Sequence, residues 1–220
     1  TKDIDAGLYC NPYLLVDKGE GVLFDPGSVL DYEYVIENIK EIIPLSKLNY
    51  VVLHHQDPDL CSAVPLLEKE NVDFKIITHW RTKVIVNYYG IKSDYYLVEE
   101  NDYILKLKSG REIAFIPAPY LHFPGSIVSY DKQTHTLFSG DLFGTMSNSI
   151  DLYADENYEE GMISFHQHYM PSNDILRPVM ETLQMIQINR IAPQHGAIIE
   201  NNVQHYVAIL KDLECGTFLD

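Results

Sequence analysis

Three potential metal ligands are concentrated in a short segment that follows an apolar run. His55, Asp57 and Asp59 occupy alternate positions of HHQDPDL, directly after VVL at 51–53. Alternate side chains of an extended segment point the same way, so all three can face one point, and Pro58 disfavours a helical conformation at Asp57. A bound cation would relieve the repulsion between these groups. The alternative is a polar turn whose aspartates cap the following helix.

Three further histidines or aspartates follow apolar runs elsewhere in the chain. His122 follows AFIPAPYL, Asp141 follows TLFSG, and His195 follows RIAPQ. Loops beyond strand ends are where α/β proteins bind ligands, although a lone histidine is more often a surface or hydrogen-bonded residue. Three imidazoles and three carboxylates together suffice for two metal ions with one bridging carboxylate.

Several other residues are candidates for the surroundings of such a centre. Strand alternation should turn His54 away from its neighbour in the motif, which indicates a structural or supporting role. His166, His168 and Tyr169 precede a late predicted helix. They either line the pocket or belong to a polar surface loop.

The elements that must position these residues are short apolar runs alternating with amphipathic stretches. Strands followed by helices occur twice, which predicts an α/β protein of two similar halves, with two sheets face to face and helices outside. No linker or repeat divides the chain, so residues 1–220 are expected to form one domain. The predicted strands are 7–17, 21–25, 49–53, 74–78, 95–99, 111–119, 126–131, 135–141 and 189–193. The predicted helices are 31–43, 61–69, 80–90, 172–187 and 201–214.

Composition excludes several classes of partner. The chain has 16 Lys and Arg against 32 Asp and Glu, a net charge of −16, which disfavours nucleic acid and anionic membrane surfaces. No apolar run approaches the ~20 residues that span a bilayer, and no secretion signal is visible. Cys10, Cys61 and Cys215 are an odd number without a CxxC pair, which favours buried free thiols in a reducing cytoplasm.

With these motifs in order, the sequence resembles the metallo-β-lactamase superfamily, and within it the di-iron domain of flavo-diiron proteins (A-type flavoproteins). The resemblance covers nearly the whole chain and implies the four-layer αβ/βα sandwich of metallo-β-lactamase type. It rests on the segments Asn11-Pro12-Tyr13-Leu14-Leu15, Phe24-Asp25-Pro26-Gly27, His55-x-Asp57-x-Asp59, His122-Phe123-Pro124-Gly125, Ser139-Gly140-Asp141, MPSNDIL (170–176) and Pro193-Gln194-His195-Gly196.

The resemblance also implies how the ligands divide between two metal ions. Most hydrolases of the superfamily have a histidine where Asp57 stands, whereas flavo-diiron proteins have a carboxylate. A harder, more negative site suits iron over zinc, so two iron ions are expected, with zinc or manganese as alternatives. The implied subsites are His55, Asp57 and His122 for the first metal and Asp59 and His195 for the second, with Asp141 bridging them.

Two departures from the family pattern narrow the function. Leu60 stands where hydrolases carry a histidine ligand, which leaves an open position beside an apolar side chain and suits a small ligand such as O2 or NO. No flavodoxin domain and no phosphate-binding glycine loop are visible in these residues, so no flavin is expected in this chain. The sequence therefore resembles stand-alone oxygen-binding di-iron proteins.

Three hypotheses follow from these residues. The first is a cytoplasmic di-iron protein that binds O2 or NO, as an oxygen sensor or as a slow reductase supplied by an external electron donor. The second is a dinuclear metal hydrolase acting on a thioester, lactone or phosphodiester. The third is a metal-stabilised interaction module without small-ligand chemistry. The family resemblance further suggests a homodimer and a signalling or electron-donor protein as partner.

Overall fold

Ten strands form two five-stranded sheets in the computed structural model, which describes residues 8–70, 72–146 and 151–216. The first sheet has the order β1-β2-β3-β4-β5 and the second β10-β9-β8-β7-β6. The strands are β1 Tyr13–Asp17, β2 Glu20–Phe24, β3 Leu48–Val52, β4 Lys75–Thr78, β5 Tyr95–Leu97, β6 Ile104–Lys106, β7 Glu112–Pro117, β8 Ile127–Asp131, β9 Thr136–Phe138 and β10 Arg190–Ala192. The helices are α1 Tyr32–Ile42, α2 Pro58–Cys61, α3 Val64–Leu67, α4 Trp80–Val86, α5 Tyr158–Tyr169, α6 Asn173–Gln184 and α7 Val203–Asp212.

The strand directions follow from how the elements are connected. β1 and β2 form an antiparallel hairpin, and β2 to β5 are parallel to one another. In the second sheet β6 to β9 are antiparallel, and β10 adds to β9 in parallel. Parallel neighbours need a crossover connection, which helices provide here.

Each sheet is buried on both faces, and the side chains of its strands alternate between two cores. In β2, Leu23 packs against α1 and α3 on the outside, while Val22 and Phe24 face the other sheet. In β8, Val128 packs towards the late helices and Ile127 towards the first sheet. The layers are therefore helix, sheet, sheet and helix. The α/β sandwich expected from the sequence is confirmed.

The sequence located nine of the ten strands, with boundaries that differ by a few residues; the first predicted strand begins at residue 7, which lies outside the described residues. The predicted helix 61–69 is wrong as a single element. It is divided into α2, α3 and a short 3-10 turn, because Pro65 lacks the backbone N–H that a continuous helix would need there. The predictions also missed β6 and α5.

Helix α5 was difficult to recognise because Gly161 and several polar residues interrupt its apolar pattern. A Cβ atom at Gly161 would collide with the side chain of Thr145, so a residue with poor helix propensity is required by a tertiary contact. His166, His168 and Tyr169 lie in this helix and not in a loop as one interpretation proposed. None of the described helices is long and apolar enough to cross a bilayer.

Candidate metal centre

Four loops meet at one edge of the sandwich, where β3, β7, β9 and β10 each end. The loop after β3 carries His55, Asp57 and Asp59, and the other three carry one candidate ligand each. Because β3 belongs to the first sheet and the remaining three strands to the second, both sheets contribute to the cluster. The structure brings together all six predicted ligands: His55, Asp57, Asp59, His122, Asp141 and His195.

The first group contains two imidazoles and two carboxylates. His122 Nε2 lies 3.2 Å from Asp57 Oδ2 and 2.8 Å from Asp141 Oδ2. His55 Nε2 lies 3.5 Å from each of the same two oxygens. Four ligand atoms therefore face a common point at the separations that a single metal ion could bridge.

The second group lies on the other side of Asp141. His195 Nε2 is 3.3 Å from Asp59 Oδ2 and 3.5 Å from Asp141 Oδ1. The other ring nitrogen of His195, Nδ1, donates a hydrogen bond to the carbonyl oxygen of Tyr9 at 3.0 Å. That bond leaves the lone pair of Nε2 directed at the carboxylates, which is the tautomer a metal ligand needs.

Asp141 connects the two groups through its two oxygens. Oδ2 faces His55 and His122, whereas Oδ1 faces His195. Oδ1 is buried and accepts no hydrogen bond from any described residue. A buried carboxylate oxygen without a partner is costly, and a metal ion beside it would remove that cost. The donor set therefore fits a pair of cations bridged by Asp141.

The local structure of the HHQDPDL segment differs from the extended segment that alternation predicted. Asp57 is extended, at ψ 146°, but the chain turns into α2 at Pro58. Asp59 consequently lies in the first helical turn and faces the second group, not the point shared by His55 and Asp57. Asp57 occupies the N-cap position of α2, yet its side chain makes no capping hydrogen bond. Helix capping therefore does not explain this aspartate.

A glutamine fixes the orientation of Asp57. The side-chain amide of Gln56 donates to Asp57 Oδ1, which leaves Oδ2 directed at His55 and His122. At the end of β9, Gly140 adopts a left-handed φ of 56° and packs against the side chain of His54. That conformation favours glycine, and it presents the next residue, Asp141, to the cluster.

The charges in the cluster are strongly coupled. Burial would raise the pKa of Asp141, but the imidazoles of His55 and His122 outweigh it and hold that pKa well below its usual range. Burial likewise opposes a charged His122, but hydrogen bonds from it to Asp141 and Asp57 raise its pKa to about 10. Asp57 and Asp141 therefore remain ionised and attract positive charge, whether from imidazolium or from metal.

An aromatic pair on α5 covers one side of the cluster. The rings of Phe165 and Tyr169 are stacked with centroids 4.7 Å apart. Phe165 lies 6.0 Å from the ring of His195, and Tyr169 lies 6.1 Å from that of His122. Phe165 is buried beside the second group, whereas Tyr169 is 41% exposed. The aromatic pair therefore shields His195 from solvent but leaves an opening beside His122. Sequence reasoning named Tyr169 as a pocket residue but missed Phe165.

The remaining candidates have supporting or surface positions. His54 points away from the cluster, and its Nδ1 and Nε2 bond to Asp25 Oδ2 at 2.5 Å and Ser129 Oγ at 2.9 Å. His168 is exposed and bonds to its own helix through the carbonyl oxygen of Ser164. Leu60 is fully buried in the core between α1 and the first sheet.

His166 does not line the cleft but supports one of its loops. Its side chain is fully buried, and Nε2 accepts a hydrogen bond from the backbone N–H of Phe143 at 3.0 Å. Nδ1 donates to the carbonyl oxygen of Met162 at 2.7 Å. His166 therefore acts on the backbone that follows Asp141.

Cys10 is a neighbour of the second group that sequence reasoning did not recognise, having treated it as a buried free thiol. Its Sγ lies 3.5 Å from Asp59 Oδ2 and 3.9 Å from His195 Nδ1. Cys10 and His195 also pair as an isolated β-bridge. Because this bridge joins residues that are far apart in the sequence, local sequence patterns do not reveal it.

Known proteins match this chain over nearly its whole length. The family described as ODP family beta lactamase matches residues 8–196. The peroxy diiron species of the chemotaxis sensor ODP is 29% identical, with a TM-score of 0.83, and the match covers 96% of this chain and 89% of that one. The apo state of chemotaxis sensor ODP from T. denticola is 30% identical, with a TM-score of 0.80, covering 94% of this chain and 87% of that one.

The chain is also similar to part of several longer proteins. A nitric oxide reductase of Moorella thermoacetica is 27% identical over 206 residues, which cover 87% of this chain and 50% of that protein. The chain spans between 36% and 51% of the length of the first curated relatives that it matches.

Proposed function

Because the chain belongs to the ODP family of beta lactamases, we propose that it is a di-iron protein that binds O2 or NO. It acts as a sensor or as a slow reductase that depends on an external electron donor. The observation that carries this proposal is the placement of Asp141, whose two oxygens face two separate groups of imidazoles and carboxylates. The chemotaxis sensor ODP and the nitric oxide reductase are relatives with this type of chemistry in their names.

The donor set supports iron. Three imidazoles and three carboxylates make a hard, anionic site without a dedicated sulfur ligand, which suits iron better than zinc. When bound, a pair of ferrous ions supplies the electrons that reduce a diatomic gas. The residues that would hold the ions are arranged around Asp141, with Nε2 of His55, His122 and His195 directed at its carboxylate oxygens.

The cleft is suited to a small ligand. Phe165 and Tyr169 exclude bulk water on one side, whereas the side chains of His122 and Asp57 keep 21% and 30% exposure. This narrow opening is the route that we propose for a diatomic gas. Leu60 supplies no ligand at the position where superfamily hydrolases have an additional imidazole, and its side chain packs in the core between α1 and the first sheet instead of lining the opening.

The electron source and the partners belong to the proposal as well. We propose that residues 1–220 form a single di-iron domain, which receives electrons or transmits its state through another protein or domain, and that two copies pair as a homodimer. The three cysteines are free among the described residues, which suits a reducing, cytoplasmic setting. Equilibrium sedimentation of the metal-loaded chain would test the dimer.

The function is tested with iron and gas. Protein loaded anaerobically with two ferrous ions per chain should develop a visible absorption band on exposure to air, and a distinct one with NO. If the isolated protein carries two zinc ions and iron loading gives no gas-dependent spectrum, the proposal fails. Turnover of a thioester, lactone or phosphodiester above a metal-free control would instead indicate the hydrolase, which the family relationship does not favour.

A further inference from the structure

The thiol of Cys10 is placed against one ligand of the second group. Its Sγ lies 3.5 Å from Asp59 Oδ2, within reach of a weak S–H···O hydrogen bond. The side-chain amide of Gln194 donates to the same oxygen at 3.1 Å, and its nitrogen lies 3.9 Å from Cys10 Sγ. The amide, the thiol and the carboxylate thus form a closed triangle of contacts.

This triangle is fixed by surrounding backbone. Gln194 is buried, its N–H bonds to the carbonyl oxygen of Gly140, and its own carbonyl oxygen accepts from the N–H of Asn11. Cys10 and His195 pair as a β-bridge. The segment before β1 is therefore bonded to the segment after β10, and each supplies one donor to Asp59.

Independent observations show that this triangle borders a ligand site. Asp141 Oδ1 is buried, lacks a hydrogen-bond partner among the described residues, and lies 3.5 Å from His195 Nε2. Gln194 Oε1 is also buried without a partner. The cost of leaving Asp141 Oδ1 unpaired is relieved when a cation occupies the space between Asp59, Asp141 and His195.

We infer that Cys10 is a positioning residue for the second metal ion, which it influences through Asp59. This inference rests on the proposed function only in requiring a metal at that subsite. The thiol and the Gln194 amide hold Asp59 Oδ2 directed at His195 Nε2 and keep the carboxylate from rotating. Both bonds also draw electron density from this oxygen.

The geometry favours hydrogen bonding over direct ligation by sulfur. Cys10 Sγ contacts His195 on the Nδ1 side of the ring, and Nδ1 is already bonded to the carbonyl oxygen of Tyr9. The metal-facing nitrogen is Nε2, on the opposite side of the ring.

The test is a titration of the metal-free full chain with Co²⁺ against a competing chelator. Cys10→Ala should weaken the second equivalent by about 10- to 100-fold, the usual effect of removing a partner of a ligand, and leave the first unchanged. Cys10→Ser keeps a donor and should restore the second affinity. Cys215→Ala is the matched control, because among the described residues its half-buried thiol bonds to the nearby carbonyl oxygen of Leu213 and not to the cluster.

Three results would overturn the inference. One is that Cys10→Ala binds its second Co²⁺ ion as tightly as the unaltered protein. Another is that Cys10→Ala weakens binding of both Co²⁺ ions equally. The third is failure of Cys10→Ser to restore binding; a sulfur-to-cobalt charge-transfer band, present in the unaltered protein and lost in both variants, would then identify Cys10 as a ligand. Because cobalt binding is read without iron or gas, these outcomes are separate from failure of the gas-binding function.

Discussion

His166 Nε2 accepts the backbone N–H of Phe143, two residues after the bridging Asp141. This bond requires Nε2 to carry no proton, so the imidazole is neutral, with its single proton on Nδ1 donated to the carbonyl oxygen of Met162. Complete burial lowers the pKa of His166 to about 4. The loop that presents Asp141 is therefore held by a histidine that resists protonation.

This relationship predicts a pH-dependent stability. The folded-state pKa of His166 lies below the unfolded value of about 6.5. Its contribution to the free energy of unfolding is therefore fully present above pH 6.5 and is lost as the pH falls towards 4. Between pH 7.5 and 5 the metal-free protein should lose about 2 kcal/mol from this group. Denaturant unfolding of the unaltered chain and of His166→Gln measures the difference. Parallel pH profiles for the two proteins would contradict it.

Asp141→Asn should reduce the metal content from two ions per chain to at most one. The amide keeps the size of the side chain but replaces one charged oxygen with an NH2 group, which cannot ligate. Metal analysis after exhaustive loading and desalting measures the change. Asp131→Asn is the control, because Asp131 is a buried carboxylate bonded to Arg111 and not to the cluster. If both variants keep two ions, Asp141 is not the bridge.

His195→Ala should empty the second subsite and leave the first occupied. His195 supplies the imidazole that faces Asp59 and Asp141 Oδ1, whereas His55 and His122 remain for the other ion. The control is His168→Ala, which removes an exposed imidazole bonded only within α5 and should retain two metals. Retention of both ions by His195→Ala would show that the ligand list is incorrect.

Tyr169→Ala should speed removal of metal by a chelator, since the ring covers the exposed side of His122. Loss of an aromatic pair contributes about 0.5–1.5 kcal/mol, which corresponds to roughly 2- to 10-fold in rate. Tyr169→Phe preserves the stack on Phe165 and should release metal at the original rate. A similar acceleration in both variants would point to the hydroxyl group and not to the ring.

Much of the architecture follows from alternation along short strands. Val22, Leu23 and Phe24 divide between two cores, and this two-sided burial requires helices on the outside of each sheet. The six candidate ligands were predictable because each follows a strand. The ends of these strands lie at the same edge of the sandwich, so the residues after them meet there. β6 was missed because a three-residue strand ending in Lys106 carries too little periodicity.

The parts that could not be predicted depend on contacts between distant segments. Gly161 weakens the helical pattern of α5 because of Thr145, which lies in another loop. Cys10 and Gln194 come together only when the segment before β1 pairs with the segment after β10. The turn at Pro58 also separates Asp57 from Asp59, although alternation alone placed them together.

The ligands come from both sheets, with His55, Asp57 and Asp59 following β3 and the other three following strands of the second sheet. Bound cations therefore fasten the two halves of the sandwich to each other, and they stabilise the folded state increasingly as the free metal concentration rises above the dissociation constant. Without them, the ionised carboxylates of Asp57 and Asp141 lie together at the seam. The metal-free chain should consequently unfold more readily, and be degraded faster, than the metal-bound chain.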